Sequence, residues 1–385
     1  MLQLAALPPL ALYVHLPWCL SKCPYCDFNS HALDPALLPE RRYLDALRAD
    51  LEAALPLVWG RPIVSVFIGG GTPSLFSPEG IDTLLSHVRA VLPLEPACEV
   101  TLEANPGTFE RERFRAFAGA GVNRLSIGVQ SFDDALLQRI GRVHDGAQAR
   151  AAAQEAREAF DRFNLDLMYA LPGQTLQQLR GDLDTALAFE PPHLSVYHLT
   201  IEPNTRFALD PPPRPDDDLA SDMLDTIIAR AAEGQLSRYE VSAFARPGRE
   251  CVHNLNYWQF GDYLGIGAGS HSKLSFPHRV VRQQRWREPM TYLAQALRGE
   301  AVSNEHEVTR DALAFEFMLN ALRLRDGFAS NLFGERTGLP LSRVEPALRA
   351  AQARGLIDRD ASRVRPSARG FDFLSDLQQL FLPAR

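Results

Sequence analysis

The sequence predicts an α/β protein: a partial (β/α)6 TIM-like barrel followed by a mostly helical C-terminal domain. Two observations carry that prediction. Six short runs rich in Val, Ile, Leu, Phe or Tyr recur along the first 200 residues, with helical patterns filling the gaps. The segments just after those runs are dense in glycines, carboxylates, amides and hydroxyls, where a parallel barrel carries its site.

The predicted strands are Ala11–Leu16, Ile63–Ile68, Cys98–Glu103, Arg124–Val129, Asn164–Tyr169 and Leu194–Thr200, each apolar enough to be buried on both faces. Between them, Glu40–Leu55 places Leu44, Leu47, Leu51 and Leu55 at helical spacing. Ser77-Pro78-Glu79 supplies an N-cap, a first-turn proline and an acid before Ile81–Leu92. Thr175 and Gln178 form a capping box before Leu179–Phe189. A proline- and acid-rich excursion, Asp210–Asp218, precedes a helix at Ser221–Ala232 and a further strand at Tyr239–Phe244. Cys251–Lys273, dense in Gly, His, Asn and aromatics, reads as an ordered functional loop. Its Gly265-Ile-Gly-Ala-Gly269 run opens no β–α–β unit, so it suits a close backbone approach or closure of the barrel better than a dinucleotide. Helices at Leu313–Leu324, Leu341–Arg354 and Gly370–Leu380, with a hairpin at 355–366, resemble a winged-helix module, although a plain helical cap is the preferred reading. The resulting division is a barrel core over 1–245, an extension over 246–300 and a C-terminal domain over 301–385.

A chain of 385 residues buries a large core. Its formal charge of −7 gives no support to nucleic-acid binding. No run is long enough to span a bilayer, and the apolar opening lacks the basic flank of a signal peptide. Five cysteines, three of them clustered, make no disulfide framework and point to a reducing cytoplasm.

The clustered thiols are Cys19, Cys23 and Cys26, spaced Cys-x3-Cys-x2-Cys directly after the first strand. A closed zinc site needs four ligands, which His15 or His31 could complete. A four-iron cluster on three thiolates leaves one iron open for a substrate. The later strand ends favour the second reading, because they ring the same rim with Gly69-Gly-Gly-Thr-Pro73, Glu103-Ala-Asn105, Gln130-Ser131, Asp166 and Thr200.

The cysteine spacing together with Gly69–Pro73 resembles the radical S-adenosylmethionine (SAM) superfamily. That resemblance implies a [4Fe-4S] cluster on Cys19, Cys23 and Cys26 whose open iron chelates SAM, yielding a 5′-deoxyadenosyl radical on reduction. Longer stretches, Leu12–Cys19, Asn123–Phe132, Gly141–His144 and Asp166–Gly173, are similar to the oxygen-independent coproporphyrinogen III oxidase group over roughly residues 10 to 380. By those motifs, Tyr13 would touch the cluster-bound SAM, and Tyr25 would lie beside its adenine. Gly70, Gly71, Thr72 and Glu103 would surround its methionine and ribose. Gln130, Arg142 and Asp166 match positions of a second SAM site, with an ion pair between Arg142 and Asp166 as the alternative. Thr200 falls where the group's sixth strand approaches the cofactor.

One departure selects a subgroup. The oxidase carries a further cysteine two residues after the third, where this chain has Phe28. Cys26-Asp-Phe-Asn-Ser-His31 and His253-Asn-Leu-Asn-Tyr-Trp258 instead resemble the HemW-type heme chaperones. That resemblance implies heme as bound cargo and respiratory hemoproteins as recipients, with membrane contact at most peripheral and dimerisation left open. His253, near Cys251, Tyr257 and Trp258, is the candidate heme ligand, with a hydrogen-bonded loop anchor as the alternative. Cys251 itself suits a buried neutral thiol.

Overall fold

The computed structural model describes residues 3–107 and 111–383. Strands β1 (Leu10–Leu16), β2 (Ile63–Gly70), β3 (Leu94–Ala104), β4 (Arg124–Gln130), β5 (Phe163–Tyr169) and β6 (His193–His198) pair in parallel in that order. Helices α1 (Glu40–Val58), α2 (Pro78–Val91), α3 (Arg111–Ala120), α4 (Gly146–Ala159) and α5 (Leu176–Ala188) connect them. The predicted caps form: Ser77 Oγ accepts from Gly80 N, and Thr175 and Gln178 close a capping box. Past α6 (Asp217–Glu233), the segment expected as one strand is two short pieces, Ser237–Arg238 and β7 (Ala243–Ala245), on the edge beyond β6.

The stretch expected as a functional loop is regular structure. Helix α7 (Val252–Trp258) leads into β8 (Asp262–Ile266), which pairs in parallel with the free edge of β1 as a seventh parallel strand. Antiparallel strands β9 (His271–Phe276), β10 (Arg279–Arg285) and β11 (Val302–Glu307) continue the sheet outward, with α8 (Pro289–Ala296) packed behind. The glycine run makes that junction close. A Cβ on Gly267, at φ +101°, would stand 2.3 Å from the His15 carbonyl oxygen of β1. The polar composition that suggests a loop belongs instead to a buried network. Asp262 accepts from Lys273 Nζ at 3.0 Å and lies 2.8 Å from Arg61 Nη2, while Asp50 of α1 receives Arg285, Tyr292 and the Gly267 amide.

The C-terminal part carries its own core around Phe317, Phe328 and Phe333. Helices α9 (Arg310–Ala321), α10 (Ser330–Thr337) and α11 (Glu345–Ala353) pack with a hairpin of β12 (Ile357–Arg359) and β13 (Arg363–Pro366). Phe328–Ala329 adds a third strand, so this region is helices with a small sheet, not a plain helical cap. The helix expected at Gly370–Leu380 is broken at Phe373 into Ala368–Asp372 and Leu374–Gln379.

Candidate functional site

Side chains alternate along a strand, so each barrel strand sends one set outward under the helices and one inward. The outward set is apolar: Leu12, Val14 and Leu16 on β1, and Leu125, Ile127 and Val129 on β4. The inward set is largely polar, with Phe67 and Met168 among it: Tyr13 and His15, Glu103, Arg124 and Ser126, Asn164 and Asp166, and His193, Ser195 and Tyr197. Such a lining does not fill the barrel, and two connected cavities remain inside, of about 290 Å3 at the C-terminal mouth and about 260 Å3 beneath it.

The cysteine loop closes one side of the mouth. Its base is clamped by a short parallel pairing of Trp18–Cys19 with His31–Ala32, and by Trp18 packed edge-on against Tyr43 at 4.6 Å. Within it, Cys26 N donates to Cys23 O at 3.1 Å, and Cys26 Sγ lies 3.5 Å from Ser30 Oγ. All three thiols border the mouth cavity, together with Tyr25, Gly70, Gly71 and Thr72. A zinc site completed by His15 does not fit: its Nδ1 meets Tyr13 OH and its Nε2 meets Asn29 O, each at 3.0 Å. Among the described residues no three His, Cys, Asp or Glu side chains converge on one metal-ion position.

The glycine run has a reason beyond ligand approach. A Cβ on Gly71 would stand 2.5 Å from the Trp18 carbonyl oxygen, and one on Gly70, at φ +117°, 2.6 Å from the His15 ring. Both glycines let the end of β2 pack against the cysteine loop, while Gly71 N and Thr72 N donate to Leu16 O and Trp18 O. Glu103 accepts from Gly70 N at 3.0 Å. Burial, reinforced by the charge of Asp166, pushes its carboxyl up to about 7. The folded state therefore holds that proton more tightly than the unfolded chain does. The carboxyl's contribution to apo-protein stability falls as pH rises from about 4.5 to about 7. Glu103→Gln should flatten that slope, read as urea midpoints at about pH 5 and about pH 8. An unchanged slope would place the titration elsewhere.

Arg142 is the cation of the mouth. It does not pair with Asp166, whose carboxylate accepts from Ser126 Oγ and Asn164 Nδ2. Arg142 instead donates to Asn105 Oδ1 at 2.8 Å and Gly128 O at 2.6 Å, and its Nη1 lies 3.6 Å from Cys23 Sγ. Its buried Nε has no protein partner. A guanidinium set against thiols, with no carboxylate paired to it among the described residues, is complementary to a negatively charged thiolate–iron assembly or to a ligand carboxylate. The residues present therefore fit a cluster and SAM. Gln130 borders the same cavity from the end of β4, in a left-handed conformation of φ +67° that non-glycine residues seldom hold.

Thr200 is not part of this site. Strand β6 ends at His198, and Thr200 is exposed two residues later, its hydroxyl 3.5 Å from His198 O. Inward alternation through His193 and Ser195 reaches Tyr197, which takes the position at the cavity wall. Asn105, which links Thr72 to Arg142, likewise belongs to the site, as do Ser126 and Met168. Asn105 was legible as a polar residue at a strand end, whereas Tyr197 sits in an apolar run with no signal of its own.

His253 is also placed differently from the expectation. Helix α7 lies against the lower barrel, where the His253 ring stacks on Phe67 at 4.8 Å and Nδ1 bonds Ser65 Oγ at 3.1 Å. Burial, with Arg124 nearby, lowers its pKa to about 3, so the imidazole is neutral. Neutrality suits ligation, but the ring is 4% exposed and borders the lower cavity inside the barrel. A porphyrin would have to enter the barrel to reach it. Cys251 is a buried thiol donating to Glu99 at 3.5 Å, its pKa pushed up to about 12 by burial.

A thiol-bordered cavity at the mouth of an open parallel barrel is the site expected of a radical SAM protein, and residues 13–186 match the Radical SAM superfamily. Residues 308–373 match the HemN C-terminal domain. The chain is 45% identical to the heme chaperone HemW of Haemophilus influenzae, over 98% of both chains. It is 45% identical to that of Escherichia coli, over 98% of this chain and 99% of the other. Against HemW of Bacillus subtilis the identity is 35%, over 91% and 93%. The chain belongs to the HemW heme-chaperone family, with the [4Fe-4S] cluster and SAM of the radical SAM superfamily as its cofactors. The solved coproporphyrinogen III oxidase HemN of Escherichia coli superimposes with a TM-score of 0.82, covering 97% of this chain and 90% of the other at 24% identity, a likeness of fold.

Proposed function

We infer that the protein binds heme in the cytoplasm and delivers it to respiratory hemoproteins, using a radical SAM core without decarboxylating porphyrinogens. The observation that carries this reading is full-length similarity to HemW heme chaperones, joined to Phe28 at the position of the oxidase's further cysteine. Among the described residues no helix is long and apolar enough to cross a membrane.

In this reading Cys19, Cys23 and Cys26 hold the cluster, which when bound supplies the electron for reductive cleavage of SAM. Arg142 offsets the negative charge gathered at the thiolates. Gly70, Gly71 and Thr72 offer close backbone to the methionine group. Glu103 accepts hydrogen bonds at its side, Tyr25 flanks the cavity, and Tyr13 stands beneath it on the wall of the lower cavity. Gln130 and Asp166 wall the opposite side, where a second ligand would sit. His253 acts as a floor residue. His253→Ala should leave the heme Soret position unchanged, and a lost Soret shift in that variant would restore it as the ligand.

The test is a pair of assays on anaerobically reconstituted protein. With heme, the protein should show saturable binding and transfer to an apo-hemoprotein. With coproporphyrinogen III, SAM and reductant, no protoporphyrinogen should form. Protoporphyrinogen at a rate matching a true oxidase would overturn the reading.

A further inference from the structure

Beside the mouth cavity lies a second recess of about 430 Å3, between the cysteine loop and the start of β9. Its volume falls in the range of small-molecule pockets, roughly 300–1,000 Å3. One wall is the loop itself, where the large apolar side chain of Phe28 is 63% exposed. That exposure is built in: Lys22 Nζ and Ser30 N both donate to the Phe28 carbonyl, fixing the turn. On the inner side Tyr257 and Tyr263, stacked on each other at 4.2 Å and 20°, border the recess as an aromatic pair. Asn29 Nδ2 donates to Ala268 O and Arg287 O, so the two walls are held at a set separation.

The polar groups at the outer end differ from those elsewhere on the molecule. His271 opens β9 with its ring exposed and no protein hydrogen bond among the described residues. Partial burial, then the charges of Arg282, Arg287 and Arg285, lower its pKa and favour neutral imidazole. Arg282 is tied to Tyr263 and Glu316, and Arg285 is buried against Asp50, which leaves the exposed Arg287 outside any described ion pair. The carboxylates that border the recess, Asp27 and Glu103, also border the SAM cavity and therefore lie at the junction of the two. Aromatic side chains along the wall, an unengaged neutral imidazole and a cation at the outer end together match an amphipathic metal macrocycle with carboxylate arms.

We propose that this recess seats the heme, with His271 as axial ligand, Phe28 and the Tyr257–Tyr263 pair against the macrocycle, and Arg287 at a propionate. The inference rests on the heme-carrier reading and specifies its site. The groove at the other side, containing His198 and Arg238, is the rival. There Arg238 is already held by Val241 O and the Phe371 ring, and Asp372 and Asp376 would repel propionates. The shared border of recess and mouth, through Phe28, Gly70 and Glu103, brings the cargo against the cofactor site.

Hemin titration of the reconstituted full chain, followed in the Soret band, tests the assignment. Wild type should saturate at one equivalent. His271→Ala should lose the Soret shift and weaken Kd by about tenfold or more. Phe28→Ala should weaken Kd while keeping the Soret position, since it removes packing and not the ligand. A wild-type spectrum in His271→Ala, or a loss confined to His198→Ala or His253→Ala, overturns the proposal while the carrier reading stands. Failure of the wild type itself to bind hemin overturns both.

Discussion

Cys23→Ser is expected to reduce the iron recovered after anaerobic reconstitution from about four per chain to a trace. With three protein thiolates, each holds a different iron, so losing one leaves a four-iron cluster with two anchors and two open corners. Cys23 is also the thiol that Arg142 Nη1 approaches at 3.6 Å, so its loss separates the guanidinium from its negative partner. The effect should be on the cofactor and not on the fold. The loop is clamped through Trp18, His31 and their backbone pairing, none of which uses the Cys23 sulfur. Thermal midpoints of the apo forms should therefore agree while iron content and visible absorption diverge. Full iron in Cys23→Ser, or stoichiometric zinc without iron in the wild type, would contradict the cluster assignment.

Asp262→Ala should have the largest effect on stability, about 3–5 kcal/mol, because it strands buried positive charge. Lys273 is 1% exposed and is held by Asp262 Oδ1 together with the Phe260 and Gly261 carbonyls. Arg61 meets the other carboxylate oxygen at 2.8 Å, and Ser275 donates to both oxygens. Burial pushes the Asp262 carboxyl up, but Lys273 and Arg61 outweigh it and hold the group below the ordinary carboxylate range. The sign follows from linkage. The carboxylate's stabilisation is fully present above the unfolded value near pH 4 and drains away as pH falls through the lower folded value. Urea unfolding should show wild type weakening in acid and Asp262→Ala already weak at neutral pH. Asp262→Leu combined with Lys273→Met, which removes both main charges, should recover much of the loss, although Arg61 keeps its own deficit. An Asp262→Ala midpoint equal to that of wild type would show that β8 and β9 hold without the network.

Much of the barrel was readable because parallel strands buried on both faces leave apolar runs, and the helix caps carry local signatures such as Ser77 and Thr175. The same rule hid the seventh strand. Asp262–Ile266 is five residues long, opens with a charged residue, and precedes a glycine run whose purpose, contact with His15 O, is non-local. The cysteines and the β2 glycines were legible from spacing, although part of the reason for Gly71, the Trp18 carbonyl, lay outside any pattern. Thr200 and Tyr197 show the limit on the ligand side. Which of them faces the cavity depends on where β6 ends, and a slip of one residue exchanges the two faces. For His253, sequence alone does not say whether a helix presents its ring to the barrel interior or to solvent, and the structure places it against Phe67 and Ser65.

In the proposed function the chain carries heme and hands it on. Its most direct test is transfer from heme-loaded, cluster-reconstituted protein to an apo-hemoprotein, followed by the Soret bands of donor and acceptor after separation. The donor band should decline in step with reconstitution of the acceptor, and the acceptor mixed with free hemin at the same concentration should fill more slowly. Heme that stays on the donor, or an acceptor that fills no faster than from free hemin, would contradict it.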